Sequence, residues 1–183
     1  RQYDQRQWAN AFGLTPTPVR VPRERAEAWT LHRWYYGEDP AASNTVAVIH
    51  PPVFLFMLGV HMAGPHLSSE TFRDGLFSYP PSGGTPTKPQ FSFGDHGLFR
   101  EPDHLSVDDM TEIWWDADAT GEDEQGNDGT GMMRYARGGE RYLPGEMPAG
   151  DPNAFVEEGS VLMLDDVPVD ERGPDYPSPK GGG

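Results

Sequence analysis

Glycine and proline make up an unusually large share of this chain, and they limit what it can fold into. The sequence has 22 glycines and 19 prolines in 183 residues, nearly twice the usual share. Both residues interrupt helices and strands, so much of the chain must form turns and loops. The apolar content is close to that of globular proteins, which is enough for a core. A compact helical bundle is therefore not expected.

Charge is divided unevenly along the sequence. Residues 1–94 carry seven acidic and eight basic side chains, whereas residues 95–183 carry 22 acidic and six basic ones, within a net charge of −15. Binding to nucleic acid needs clustered Lys and Arg to neutralise phosphates, and the second half has no such cluster. The same deficit excludes attraction of this half to anionic membrane surfaces.

The absence of cysteine removes several classes of site at once. With no cysteine in the chain, disulfides, thiolate nucleophiles and zinc–thiolate centres are excluded. The sequence begins Arg1-Gln2-Tyr3 and not with methionine, and no apolar leader segment follows. We therefore expect that a leader has been removed or that the chain is a piece of a longer protein.

The first half of the chain carries the helical patterns. A first helix is predicted over 23–36, after Pro22 and before the Gly37 stop. A second is predicted to begin at Pro51-Pro52, and its segment 53–60 is apolar on every side, so it should be buried all round. Eight apolar residues are far fewer than the roughly 20 that cross a bilayer. This helix should end at Ala63-Gly64-Pro65.

A third helix is predicted after a serine cap, and the patterns that follow favour strands. Leu67-Ser68-Ser69-Glu70 places a cap and an acid in the first turn, with Phe72, Leu76 and Phe77 sharing one face. Short strands are predicted at 90–93, 111–116, 132–136 and 141–143, the last two joined through a Gly-Gly turn at 137–140. Two acidic segments, 117–130 and 164–183, are expected to be solvated and mobile.

Three groups of residues are candidates for a metal-binding or carbohydrate-binding site. Asp116, Asp118 and Thr120 match the first ligand positions of an EF-hand calcium loop. Asn127, however, occupies the twelfth position, where that loop needs a bidentate glutamate. Four of the six histidines, His61, His66, His96 and His104, lack the helical i, i+4 spacing of a metal pair.

The third group resembles a carbohydrate site in composition. Glu112 and Asp116 flank Trp114 and Trp115, and alternation on a strand places residues 112, 114 and 116 on one face. Two carboxylates on one strand face are more often a solvated surface than a hydrolytic pair, which needs acids on opposite sides of the bond. The motifs of serine hydrolases, phosphate-binding loops and dinucleotide-binding folds are absent, so the sequence does not support catalysis.

The order of the predicted elements resembles one known family. A helix containing Trp34-Tyr35-Tyr36-Gly37 precedes a helix ending His61-Met62-Ala63-Gly64-Pro65. A Ser-capped helix, 68–77, and Phe93-Gly94-Asp95-His96-Gly97 follow. This succession, over roughly residues 23–143, resembles the C-terminal part of type I solute-binding proteins, the extracellular receptors of branched-chain amino-acid-type ABC transporters. The chain departs from the family in the insertion 117–130, after residue 150, and at His50-Pro51-Pro52.

The resemblance implies a fold and a function. It implies the C-terminal part of a two-lobed α/β fold, with a partial solute-binding domain at 1–150 and a flexible tail at 151–183. Such a receptor closes on a small, amino-acid-like solute by hinge motion. It implies no catalysis and no cofactor, ABC permease subunits as partners, and a periplasmic or cell-surface location. The residues expected to contact the solute are Tyr36, His50, Glu112, Trp114 and Trp115.

Two alternatives stay open at this point. The first is a carbohydrate-binding or glycoside-acting surface protein that uses Glu112 and Asp116 with the two tryptophans. The second is a calcium-dependent structural module built on 116–128.

Overall fold

The computed structural model describes residues 4–41, 43–122, 127–150 and 153–180. Within these ranges the chain forms four α-helices and one three-stranded sheet. The helices are α1 (Gln5–Trp8), α2 (Glu27–Tyr36), α3 (Ser43–Ala63) and α4 (Ser69–Ser78); the strands are β1 (Phe12–Thr15), β2 (Thr111–Glu122) and β3 (Asp128–Tyr135). The predicted mixture of helices and strands is confirmed.

The sheet is antiparallel, with β2 in the centre. β1 pairs with the first part of β2, Phe12 opposite Trp114, and β3 pairs with β2 on the other side, Arg134 opposite Trp114. The predicted strand 111–116 is therefore confirmed, and it extends to Glu122. The segment 117–130 was predicted to be solvated and mobile: residues 117–122 and 128–130 instead belong to β2 and β3, with a bulge between Asp116 and Thr120, but five of these nine residues are exposed, as expected of a solvated segment. Residues 123–126 lie outside the described part.

The predicted hairpin around 137–140 is also wrong. β3 ends at Tyr135 and is followed by a short 3₁₀ turn over Ala136–Gly139. Arg137, Gly138 and Gly139 all have positive φ, so the chain turns away from β3. Tyr142 then forms an isolated bridge with Met110. The predicted strand at 90–93 likewise forms only an isolated bridge, at Phe91.

Local signals set one end of each of two helices as predicted, whereas the start predicted for the first helix, at residue 23, is wrong. α2 begins at Glu27, after a 3₁₀ turn over Arg23–Arg25, and ends at Gly37, whose φ of 77° is left-handed. α4 is capped by Ser68, whose hydroxyl accepts from the amide of Thr71 at 3.1 Å while Thr71 Oγ1 accepts from the amide of Ser68 at 2.8 Å. This reciprocal capping box satisfies two backbone donors at the helix start.

Helix α3 differs most from its prediction. It starts at Ser43 and has Pro51 and Pro52 in its interior, so the prolines do not begin it. Its apolar side chains are largely exposed, Val48 at 75%, so the prediction of a helix buried all round is wrong. The window Val46–Ala63 has 18 residues and a mean hydropathy of 1.8. By length and composition this window could cross a membrane. The prediction that the helix is too short to do so counted only the eight residues 53–60 and is therefore corrected.

The segment expected to form a flexible tail lies against α2 at several points. Trp34 Nε1 donates to the carbonyl of Tyr176 at 2.7 Å. Ser178 Oγ donates to the carbonyl of Tyr35 at 3.1 Å, and the Lys180 ammonium lies 4.4 Å from the centre of the Tyr36 ring. These contacts place residues 176–180 of the tail against α2, while the flexibility of the tail stays a prediction.

A buried ion pair connects distant parts of the chain. Arg141 Nε donates to Asp109 Oδ1 at 2.8 Å, and the two side chains are only 1% and 3% exposed. The same guanidinium donates to the carbonyls of Pro16 at 2.9 Å and Thr17 at 3.1 Å. Arg141 therefore holds the segment after β1 next to the segment before β2.

Candidate functional site

One face of the sheet gathers most of the chemistry predicted for β2. Cross-strand partners in an antiparallel sheet share a face, and residues two apart on a strand do too. The register therefore places five side chains together, which we name the Trp114 face: Phe12, Leu14, Glu112, Trp114 and Arg134. The predicted alternation along β2, which put Glu112 and Trp114 on one face, is consistent with this register.

Trp114 is the centre of this face. Its side chain is covered by the Arg134 guanidinium, 5.8 Å above the ring, and by Phe155, whose ring centre is 5.7 Å away. Only 7% of Trp114 is exposed. Its indole Nε1 is buried and has no hydrogen-bond partner among the described residues. A buried donor without an acceptor is unfavourable by about 1–3 kcal/mol. This atom would therefore gain from an acceptor, which reaches it only when Arg134 or Phe155 moves aside.

The rim of the Trp114 face is apolar and open. Phe12 is 58% exposed and Leu14 is 53% exposed. Phe155 packs edge-on against Phe12 at 5.9 Å and adds a third exposed apolar side chain. An apolar surface with a few convergent polar groups is the usual character of a small-molecule site.

Charged groups border the other side of Trp114. Arg134 Nε donates to Asp116 Oδ2 at 2.6 Å, and its Nη2 donates to Glu157 Oε1 at 3.1 Å. Burial raises the pKa of Asp116, but hydrogen bonds from Arg134 and from the amides of Asp118 and Ala119 outweigh it and hold the pKa below its usual value. Asp116 therefore stays ionised and keeps Arg134 in place over the indole.

The lowered pKa of Asp116 predicts an acid-sensitive stability difference. The group's pKa is lower in the folded than in the unfolded chain, so its stabilisation is present above the unfolded value and is lost as the pH falls through the folded value. Asp116→Asn should lower the melting temperature at neutral pH, and the gap to the wild type should close in acid. Asp118→Asn, an exposed carboxylate on the same strand, is the control. An equal gap at every pH would contradict this assignment.

The structure separates the two tryptophans. Trp115 lies on the opposite face of β2, where its ring packs edge-on against Trp8 at 5.1 Å and its Nε1 donates to Gln5 Oε1 at 2.8 Å. It is a packing residue of the core, 6% exposed. The two indoles therefore do not form one wall, because adjacent residues on a strand point to opposite faces.

The two helical residues of the predicted site lie elsewhere. Tyr36 is at the end of α2, where its ring lies tilted against His32 with centres 4.6 Å apart and the Lys180 ammonium is 4.4 Å from its ring centre. His50 lies in α3 and stacks on Phe54, with ring centres 6.1 Å apart. Within the described ranges, no hydrogen bond, ion pair or ring contact joins either residue to Glu112, Trp114 or Trp115. The structure thus brings together Glu112 and Trp114 only.

One of the calcium candidates, Asp116, already has other partners. Asp116 binds Arg134 and two backbone amides, and Asp118 and Thr120 follow on the same strand. Among the residues with described positions, no group of three or more His, Asp or Glu side chains converges as a metal site would require.

A shallow cavity of about 210 Å³ lies away from the sheet, between α2 and the tail. Arg25 and Arg172 line it, and both pair with Asp166, at 3.7 and 2.8 Å. Because Asp166 already bridges the two guanidinium groups, this cavity is a weaker candidate for a ligand site than the Trp114 face.

Sequence reasoning missed Phe12, Leu14, Arg134 and Phe155. The alternation Phe12-Gly13-Leu14 is a short strand signal within a stretch that reads as polar, and it could have indicated β1. The other two residues reach Trp114 through pairing and loop packing, which have no local signal. Comparisons with protein-family models, curated proteins and solved structures find no match for this chain.

Proposed function

We propose that this chain binds a small polar solute at the Trp114 face, without catalysis. The observation that carries the proposal is the buried indole Nε1 of Trp114, which has no acceptor among the described residues. It lies between an open apolar rim and the charged pair of Arg134 and Asp116. A solute with an apolar part and a hydrogen-bond acceptor matches this combination, as an amino-acid-like molecule does.

The wider proposal is that the chain is the C-terminal part of a two-lobed receptor of an ABC importer. Its support is the order of helix and strand segments over 23–143, which resembles type I solute-binding proteins. In such a receptor the Trp114 face would form one wall of the cleft, and hinge closure would bring the second wall over it. ABC permease subunits would be the partners, in the periplasm or at the cell surface.

The alternative of a carbohydrate-binding or glycoside-acting protein has less support. A general acid needs a carboxyl with a raised pKa, whereas the pKa of Asp116 is lowered by its hydrogen bonds despite burial.

The proposal is tested by following the indole N–H resonances of the ¹⁵N-labelled 183-residue chain by NMR. The sequence has five tryptophans, and the spectrum of Trp114→Phe assigns the signal of interest. Titration with amino acids, amides and small carboxylates should shift the Trp114 resonance in a saturable way. Because the phenylalanine variant keeps a ring but loses the donor, calorimetry should show binding weakened about tenfold.

Trp115→Phe, on the opposite face, is the matched control and should bind as the wild type does. Failure of all these solutes to shift the Trp114 resonance would overturn the proposal. Turnover of a glycoside that is lost in Glu112→Gln would favour the carbohydrate alternative instead.

A further inference from the structure

One of the two side chains that cover Trp114 has an unusual backbone conformation. Phe155, whose ring centre lies 5.7 Å from that of Trp114 and 5.9 Å from that of Phe12, has a φ of +65°. Among the described residues, only Phe155 and Arg137 have a positive φ without being glycine. For a bulky side chain this is a true outlier. Backbone strain of this kind is found at ligand clamps and switch regions.

The strain at Phe155 offsets part of what holds its ring in place. A left-handed conformation is disfavoured roughly 5- to 30-fold for a residue with a side chain, whereas an aromatic pair favours contact by roughly 2- to 12-fold. Burial contributes less than in the core, because 47% of Phe155 is exposed. No backbone hydrogen bond joins Phe155 to another described residue. A change to negative φ is therefore favourable for the residue itself, and it would carry the ring away from Trp114.

The loop around this residue, 153–160, is attached near its two ends. At its start, the side-chain oxygen of Asn153 accepts from the Arg137 guanidinium. Near its end, the carbonyl of Gly159 accepts from the amide of Gly138 at 2.7 Å. The other described backbone hydrogen bonds of the loop stay within it, at 3.4 and 3.0 Å. The middle of the loop can therefore move while the sheet stays intact, since parts of a structure with few hydrogen bonds open most easily.

The second cover of Trp114 is held more firmly. Arg134 Nε donates to Asp116 Oδ2 at 2.6 Å, and these side chains are only 14% and 15% exposed. Toward the loop, Arg134 Nη2 pairs with Glu157, whose side chain is 78% exposed. An exposed ion pair contributes little to stability and is screened by salt. Phe155 is therefore the cover that can leave with the smaller loss of contacts, and the pair with Glu157 is a weak latch on its loop.

We propose that Phe155 is a lid over Trp114, which swings outward so that the indole Nε1 can bond to the acceptor of an entering solute. This inference rests on the proposed binding of a solute at the Trp114 face. Opening relieves the strain at Phe155 and lets the unpaired Nε1 reach water or solute, so both changes favour it. Closure would then lay the ring against the apolar part of the solute.

Hydrogen exchange of the indole N–H groups in the ¹⁵N-labelled 183-residue chain, without solute, measures the opening. Phe155→Ala should raise the exchange rate of Trp114 Nε1 at least about fivefold, because two ring contacts are lost. Trp115 Nε1, on the opposite face, reports general unfolding and should exchange as in the wild type. Val156→Ala is the matched control, because Val156 is the next residue, is 46% exposed and has no ring.

A second variant keeps the ring and loosens the loop. Glu157→Gln removes the charge that pairs with Arg134, and should raise the Trp114 exchange rate by up to about fivefold. Salt at about 0.5 M should do the same in the wild type and have little further effect in this variant. An unchanged Trp114 rate in Phe155→Ala would overturn the proposal. So would an equal rise at Trp115, because the ring would then stabilise the whole chain and not cover one site.

The exchange measurement and the solute titration can fail separately. No solute is present during exchange, so an unchanged rate in Phe155→Ala counts against the lid alone. A lid that opens as expected, in a chain that binds none of the solutes, counts against the proposed function alone.

Discussion

Asp109→Asn is expected to destabilise the chain by about 3–5 kcal/mol, the usual effect of breaking a buried ion pair by removing one charge. The substitution leaves the Arg141 guanidinium buried without its counter-ion, although its bonds to the carbonyls of Pro16 and Thr17 remain. For a chain of this length the melting temperature should fall by about 10 °C or more. Thermal unfolding followed by circular dichroism measures the effect.

Asp108→Asn is the matched control, one residue away and equally buried. Burial raises the pKa of Asp108, even though Ser92 and Gln90 donate hydrogen bonds to it. Because the folded pKa lies above the unfolded one, this group's stabilisation is present in acid and is lost as the pH rises through the folded value. Asparagine should therefore leave the melting temperature unchanged or raise it at pH 7. Equal losses in both variants would mean that the ion pair with Arg141 has no special role.

Gly139→Ala is the second substitution with a large expected effect. Gly139 has a φ of +83°, and a Cβ there would collide with Cγ2 of the buried Val19 and lie 3.3 Å from Pro86 Cβ. A left-handed alanine is strained by roughly 1–2 kcal/mol, and overpacking adds about 1–3 kcal/mol. Denaturant unfolding should therefore show a loss of roughly 3 kcal/mol or more.

Gly138→Ala separates the two contributions. Gly138 has a φ of +67° and no atom within 4 Å of an added Cβ. Its alanine variant should show the backbone strain alone, at roughly 1–2 kcal/mol. If the two variants lose the same stability, then Val19 moves aside easily and the packing around the 3₁₀ turn is looser than the structure indicates.

The parts of the fold that sequence predicts are those with local signals. The Gly37 stop and the Ser68 cap located the end of α2 and the start of α4, because both act within one turn. The prolines at 51 and 52 misled the prediction of α3, since a proline that starts one helix can also lie inside another. Strand β1 was missed because its stability comes from pairing with β2, about a hundred residues later, and not from its own composition.

The candidate site also combines features that have a local sequence signal with features that depend on distant parts of the chain. Glu112 and Trp114 share a face because of strand alternation, which sequence alone can reveal. The partners of Trp114 depend on which strands pair and on where the loop carrying Phe155 returns. Tyr36 and His50 were expected near the solute through the family resemblance, and within the described ranges the structure joins neither to β2.

The pairing of β1 with β2 has a consequence for the order of folding. The hairpin of β2 and β3 joins residues close in sequence, such as Thr120 and Thr130, and such local contacts form early. Arg141 and Thr17 are 124 positions apart, and closing so long a loop is slow because its entropy is lost before the contacts form. Phe12 and Leu14 should therefore join the sheet last. Trp114 would be the last large side chain to be enclosed, and the first to be released when the amino-terminal strand detaches.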